Sequence, residues 1–233
     1  MVLAMLLRAR PKTISYPESD DQPMGENTLQ FQWIITLFHG FESLYFPRQD
    51  VFVASDLFWY PVEGEPKKVL AADLMIVFGR PKGRRGSYKQ WEEDGIAPQV
   101  VFEMQSPSNT TRNSAKKREF YRRYGVQEFY EYDPDAGVFS AWRREGRKLV
   151  PVPEANGYAS PLLGVRFEVS SEGILDVIRP DGQPFMTYRE MITRNELQQQ
   201  QLVEERRRVR EGLSRNEKLA KKLKQLGVDP DEL

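Results

Sequence analysis

The chain contains no cysteine, which removes disulfide staples, thiolate zinc sites and cysteine nucleophiles together. Histidine is almost as scarce. His39 stands alone, so a polyhistidine metal centre is excluded, and a serine-histidine triad has one candidate base that reads as an ordinary residue near a helix end. No apolar run is long enough to span a membrane. The opening MVLAMLLRAR has seven uncharged residues before Arg8, too few for a signal-peptide core and without a basic lead or a cleavage site. Residues 1–26 therefore read as an N-terminal extension, and the protein as soluble and cytoplasmic. An excess of one charge is missing too: 34 Lys and Arg balance 34 Asp and Glu, so a basic surface has to come from local clustering.

What is present is enough for a folded domain. Hydrophobic residues make up 39% of the 233 and aromatics 12%, sufficient to build a core. Asn27 and Thr28 cap a helix running over Leu29, Trp33, Ile34, Leu37 and Phe41 at helical spacing. Two β-rich runs follow, Asp50–Val62 and Val69–Phe78, and then a polar excursion, GRPKGRRGSYKQWEEDGIAP, over 79–98. Its Lys82, Arg84, Arg85 and Lys89, followed by Trp91, suit a DNA backbone, and equally an exposed loop. PQVVFEMQSPSN is an apolar strand carrying one glutamate into a Ser-Pro turn. A helix over Ser114–Tyr124, closed by Gly125, leads into five short strands at 127–132, 137–142, 148–152, 165–169 and 174–178. The order predicts an α/β domain over 27–186 on a mixed sheet flanked by helices.

Beyond Pro184 the composition shifts. Between Arg189 and Gln225 there are 11 Lys or Arg and 6 Glu, with no proline. Residues 187–233 thus read as a charged helical tail. Leu202, Val209, Leu219, Leu223 and Leu226 fit one heptad frame, so the tail is a candidate self-associating coiled coil, while a solvated charged helix fits as well.

Asp73 lies inside LAADLMIV as Glu103 lies inside VVFEMQ. An unpaired charge in an apolar layer is costly, so each carboxylate calls for a compensating partner. Two carboxylates on adjacent strands are a simple protein site for a hard divalent cation, and Lys116 and Lys117 begin the helix expected to pack across them. One Asp, one Glu, one Lys and a metal suit phosphodiester hydrolysis. A structural ion pair between Glu103 and Lys117 or Arg112 would satisfy the same residues without a metal.

The series ADLMIV, PQVVFEMQSPSN and KKREFYRRYGVQEFYEYDPD resembles the Uma2 family of endonuclease-like proteins in the PD-(D/E)XK superfamily. The resemblance runs from about Tyr16 to Tyr188, with YPVEG, FGRPKGRRGSY, IRPDGQPF and the closing LKQLGVDPDEL in the same style. It implies a restriction-endonuclease-like core, with Mg²⁺ (or Mn²⁺) as cofactor and DNA as partner, and the heptad pattern of the tail adds the expectation of a homodimer aided by the C-terminal helix. Asp73 and Glu103 take the positions of the two metal-binding carboxylates, and Lys117 that of the catalytic lysine. Two departures stand out: Ala72 replaces the proline usual before the first acid, and Gln105 occupies the place of the superfamily's lysine, where it would ligate or orient a water. An additional upstream acid is common in the superfamily. Glu42 on the first helix and Asp56 in the first β run are the candidates, with Glu42 preferred as a metal ligand. Hydrolysis of DNA is thus the expected function, and a catalytically silent nucleic-acid or protein-binding module of the same fold is the alternative.

Overall fold

A computed structural model describes residues 14–19, 27–106 and 111–225. Helix α1 spans Thr28–Leu44, and the Asn27 side chain accepts from the backbone N–H of Gln30 at 2.8 Å, the N-cap its sequence predicts. Eleven strands follow around a second helix: β1 (Val51–Ala54), β2 (Leu57–Tyr60), β3 (Leu70–Ala72), β4 (Leu74–Phe78), β5 (Tyr88–Lys89), β6 (Val100–Met104), α2 (Thr111–Tyr124), β7 (Glu128–Asp133), β8 (Val138–Glu145), β9 (Lys148–Pro151), β10 (Arg166–Val169) and β11 (Leu175–Ile178).

Six strands form the main sheet in the order β1-β4-β6-β7-β8-β9. Within this sheet only the β6–β7 pair is parallel, joined through α2, so the sheet is mixed as expected. Alternation along the strands gives each face its own core. On one face Ile34, Leu37 and Phe41 of α1 pack on Leu74, Ile76, Val100 and Phe102, together with Phe167 and Val177 from the β10–β11 pair. On the other, Tyr121 of α2 packs on Met75, Val77, Val101 and Phe129.

The two early β runs are not single strands. The first breaks at Ser55 and Asp56, the second at Asp73, and the outer pieces form a separate small sheet, β3-β2-β5. Asp56 adopts a positive φ of 51°, which Asp tolerates better than bulkier residues. Its N–H donates to the Ala72 carbonyl at 3.1 Å, and Ser55 Oγ donates to the Asp73 carbonyl at 2.8 Å. The two breaks are therefore tied together, and the first candidate acid sits at the point where one sheet gives way to the other.

Within residues 14–19, Tyr16 stacks edge-on against Tyr60 with centroids 5.1 Å apart, and Tyr60 donates to the Pro17 carbonyl at 2.7 Å. Helix α3 covers Tyr188–Gln225, and the chain divides into two compact units after Phe185. Residues 226–233, including Leu226 of the heptad frame, lie outside the described residues.

Candidate active site

Asp73 and Glu103 meet because of the register. Leu74 pairs with Phe102 and Met75 with Val101 across the antiparallel β4–β6 ladder, so extending the ladder by one residue sets Asp73 opposite Glu103. Phe102 and Met104 face α1, so Glu103 between them faces α2. It is 1% exposed.

Helix α2 supplies the partners at helical spacing. Lys117 Nζ donates to Glu103 Oε2 at 2.6 Å, and the Tyr121 hydroxyl donates to Oε1 in a very short hydrogen bond. Residues four apart share a helix face, and that face is aimed at one carboxylate. Asp73 Oδ2 accepts from the Met104 N–H at 2.6 Å. Burial and then the charge of Glu103 push the Asp73 carboxyl up to about 8, with Lys117 and the Met104 N–H pulling the other way. Burial likewise raises Glu103 against the pull of Lys117 and Tyr121. For Lys117, desolvation is outweighed by the Glu103 carboxylate, and the ammonium is held protonated. Burial and mutual repulsion thus hold the pair toward protonation, and only Lys117 and the hydrogen bonds favour its ionised form.

A third carboxylate stands in the same row. Glu131 lies in register with Glu103 across the parallel β6–β7 ladder, with burial raising its carboxyl and the Arg118 guanidinium 3.7 Å away. Arg118 also stacks on Trp142 at 4.6 Å. Gln105 is on this face, one alternation beyond Glu103. Its Nε2 donates to Glu131 at 3.3 Å and its Oε1 accepts from Ser114 Oγ at 3.1 Å, so it joins β6, β7 and the first turn of α2. Sequence alone does not single out Tyr121, Glu131 or Arg118. The signal for Tyr121 is its spacing of four from Lys117, and that for Glu131 is a lone acid between Tyr130 and Tyr132.

Glu42 does not join this group. It lies on α1, which packs on the opposite face of the sheet, and its Oε2 pairs with Lys82 Nζ at 3.2 Å. Asp56 is the other upstream acid, and its charge is one of those acting on Asp73. Among the described residues, no group of three or more Asp, Glu and His is arranged to hold a metal ion. The Asp73–Glu103 pair nonetheless fits a hard divalent cation in donor type, since two neighbouring carboxyl groups supply oxygen donors that water and phosphate oxygens can complete.

Four of the five cations of the 79–98 excursion are ion-paired, and Arg84 is exposed. Arg80 and Arg85 both bind Glu93, at 2.7 and 2.5 Å, Lys82 binds Glu42, and Lys89 binds Glu92 at 3.3 Å. Trp91 lies against Tyr16, with ring centroids 5.1 Å apart.

Among solved structures, the chain is similar to one titled a putative nuclease belonging to DUF820 from Anabaena variabilis, with 15% identity over 61% of this chain and 77% of that one and a TM-score of 0.46. No curated protein matches it. The Uma2 family, described as "Putative restriction endonuclease", matches residues 21–177, which span more than half of the 233. The chain belongs to the Uma2 family.

Proposed function

We propose that the protein is a Mg²⁺-dependent endonuclease that hydrolyses phosphodiester bonds in DNA, in the cytoplasm, as a homodimer associated through its tail at 187–233. The observation that carries this reading is the position of Asp73, at the break before β4, opposite Glu103 of β6, with the Lys117 ammonium directed at the pair. Asp73 and Glu103 would hold the cation, which when bound supplies Lewis acidity and a water of lowered pKa.

The rest of the chemistry belongs to the chain. Lys117, held protonated by its carboxylate neighbours, offers a fixed positive charge to a phosphoryl oxygen as negative charge develops there. Tyr121 fixes one oxygen of Glu103 and leaves its carboxylate plane in a single orientation. Gln105 sits one alternation along the same face, where its amide can orient a water while Ser114 and Glu131 hold it. Burial on the sheet side keeps bulk water away, which strengthens each of these contacts.

A silent binding module is favoured by one observation: both oxygens of Glu103 are already satisfied by Lys117 and Tyr121. Calorimetric titration of Mn²⁺ into wild type and Glu103→Gln, with plasmid nicking in parallel, separates the two readings. Binding and nicking that disappear together in the variant support the nuclease. Absence of both in wild type supports the silent module.

A further inference from the structure

We infer that a continuous basic surface, formed by the outer face of α2 and the β8–β9 turn, is the docking site for the phosphate backbone of duplex nucleic acid. The inference deepens the nuclease reading and rests on it. Although the whole chain is neutral, Thr111–Tyr124 and Val138–Pro151 together hold ten Lys or Arg and only two acids, Glu119 and Glu145.

The two segments are far apart in sequence and are joined by hydrogen bonds. Arg122 donates to the Arg147 carbonyl at 2.9 Å, and Arg144 donates to the Arg122 carbonyl at 2.7 Å and the Val126 carbonyl at 2.7 Å. Arg144 thereby spends its guanidinium on backbone atoms, leaving its positive charge without a carboxylate. Burial, and then Arg122 beside it, pull that guanidinium below its usual range. Like charges have been gathered here and not dispersed.

Five of the ten cations are free to receive a ligand. Arg112, Lys116, Arg123, Arg147 and Lys148 are exposed, and none of them has a salt bridge among the described residues. In the 79–98 excursion, by contrast, four of five cations, Arg80, Lys82, Arg85 and Lys89, are ion-paired, and Arg84 alone is exposed without a salt bridge among the described residues. Helix α2 has 14 residues, a length of about 21 Å, or roughly six nucleotide steps along one strand. It also carries Lys117 and Tyr121 on its inner side, so a backbone seated on the outer face is brought to the Asp73–Glu103 pair by the same helix.

The test measures duplex binding by fluorescence anisotropy in EDTA, as a function of salt, so that cleavage plays no part. The variants are full-length chains: one with Arg112, Lys116, Arg123, Arg147 and Lys148 all changed to Gln, and one with the ion-paired Lys82→Gln and Lys89→Gln. Each phosphate that the protein no longer neutralises lowers the slope of log affinity against log salt by about 0.9, so the fivefold variant is expected to lose about 4 to 5 from the slope. The double variant is expected to keep it. A fivefold variant that is folded by circular dichroism and binds with the wild-type slope overturns the surface, and nicking by wild type would then leave the nuclease reading standing. Wild type that neither binds duplex nor nicks plasmid overturns both.

Discussion

Glu103 and Glu131 lie side by side across the parallel β6–β7 ladder, and consecutive residues of α2 answer them separately: Lys117 Nζ at 2.6 Å from Glu103 and Arg118 at 3.7 Å from Glu131. Two like charges on neighbouring strands would repel. The helix turns that liability into a polar row along one face of the sheet, with each carboxylate assigned its own cation.

Lys117→Met and Arg118→Met should therefore differ in kind. Loss of Lys117 removes the charge proposed to act on the phosphate and leaves Glu103 buried without its ion pair, so plasmid nicking should fall about 10²- to 10³-fold, the usual cost of removing one preorganised charge-stabilising donor. Arg118→Met should reduce nicking less than tenfold, because Glu131 is not one of the proposed metal ligands. Equal losses in single-turnover assays would argue that the row acts as one unit.

Much of this site is legible in sequence. Asp73 and Glu103 stand out because each is a lone acid in an apolar run, and Lys117 through the family resemblance. The side of the sheet on which α1 packs is not written in a helical repeat, and for that reason sequence favours Glu42 over Asp56. Glu131 is hidden by its aromatic neighbours, since FYEYD reads as ordinary alternation until the register with Glu103 is known. The two continuous β runs give no sign of breaking at Asp56 and Asp73, because the break depends on a hydrogen bond from Asp56 to Ala72 between two segments 16 residues apart. The basic surface is obscured by a neutral total, its halves being united only by folding.

The excursion at 79–98 is held by Glu93, and it should be acid-sensitive. Burial pushes the Glu93 carboxyl up, but hydrogen bonds from Arg85 and Arg80 outweigh it and hold the group below the usual carboxylate range. A depressed folded pKa gives stability that is present above the unfolded value, about 4.3, and is lost as pH falls through the folded value. Glu93→Gln should cost about 3 kcal/mol at pH 7, since it leaves the largely buried Arg85 guanidinium without a carboxylate and Arg80 with Asp94 alone. In urea titrations the gap between wild type and variant should close below about pH 4. A gap that is constant with pH would show that packing, and not charge, holds the excursion.

Glu128 should behave in the opposite sense. Its Oε2 accepts from Tyr130 at 2.7 Å and from the Ser160 hydroxyl in a very short bond, but burial dominates and raises the carboxyl. A raised folded pKa contributes stability below the unfolded value that is lost as pH rises through the folded one. Glu128→Gln keeps an acceptor for Ser160 or Tyr130 and cannot ionise. Its melting temperature relative to wild type should therefore rise between pH 4 and pH 8, by a few degrees if the cost is about 1 kcal/mol. A relative melting temperature that falls over that range would mean that the carboxylate is the preferred buried form.

Gly137 and Gly173 bring two turns into backbone contact. Their φ values are +65° and +81°, and a Cβ on Gly137 would lie 2.6 Å from the Gly173 Cα. Neither backbone can rotate away as a side chain would. Gly137→Ala should destabilise by about 2 to 4 kcal/mol through strain and overpacking combined, measured by chemical denaturation. Gly146, at φ +59° with open space around it, is the control, and Ala there should cost only about 1 kcal/mol.

Helix α3 makes the last prediction. Leu202, Val209 and Leu213 are 40%, 57% and 60% exposed, and their spacings of seven and four place them on one stripe. Asn195 and Asn216 extend the stripe by one heptad at each end, and asparagine at such seam positions selects a register at a cost in stability. A 38-residue helix presenting these side chains to water gains by pairing them with a second copy. Sedimentation equilibrium should therefore give about twice the 27.1 kDa chain mass for wild type. Val209→Asp with Leu213→Asp should give the chain mass alone, because paired charges would then face each other across the seam. Asn216→Leu should strengthen the dimer or admit higher oligomers, as removal of a seam asparagine does when it is buried against its twin. If wild type and the double aspartate variant sediment alike, the stripe faces solvent and the tail does not set the oligomer.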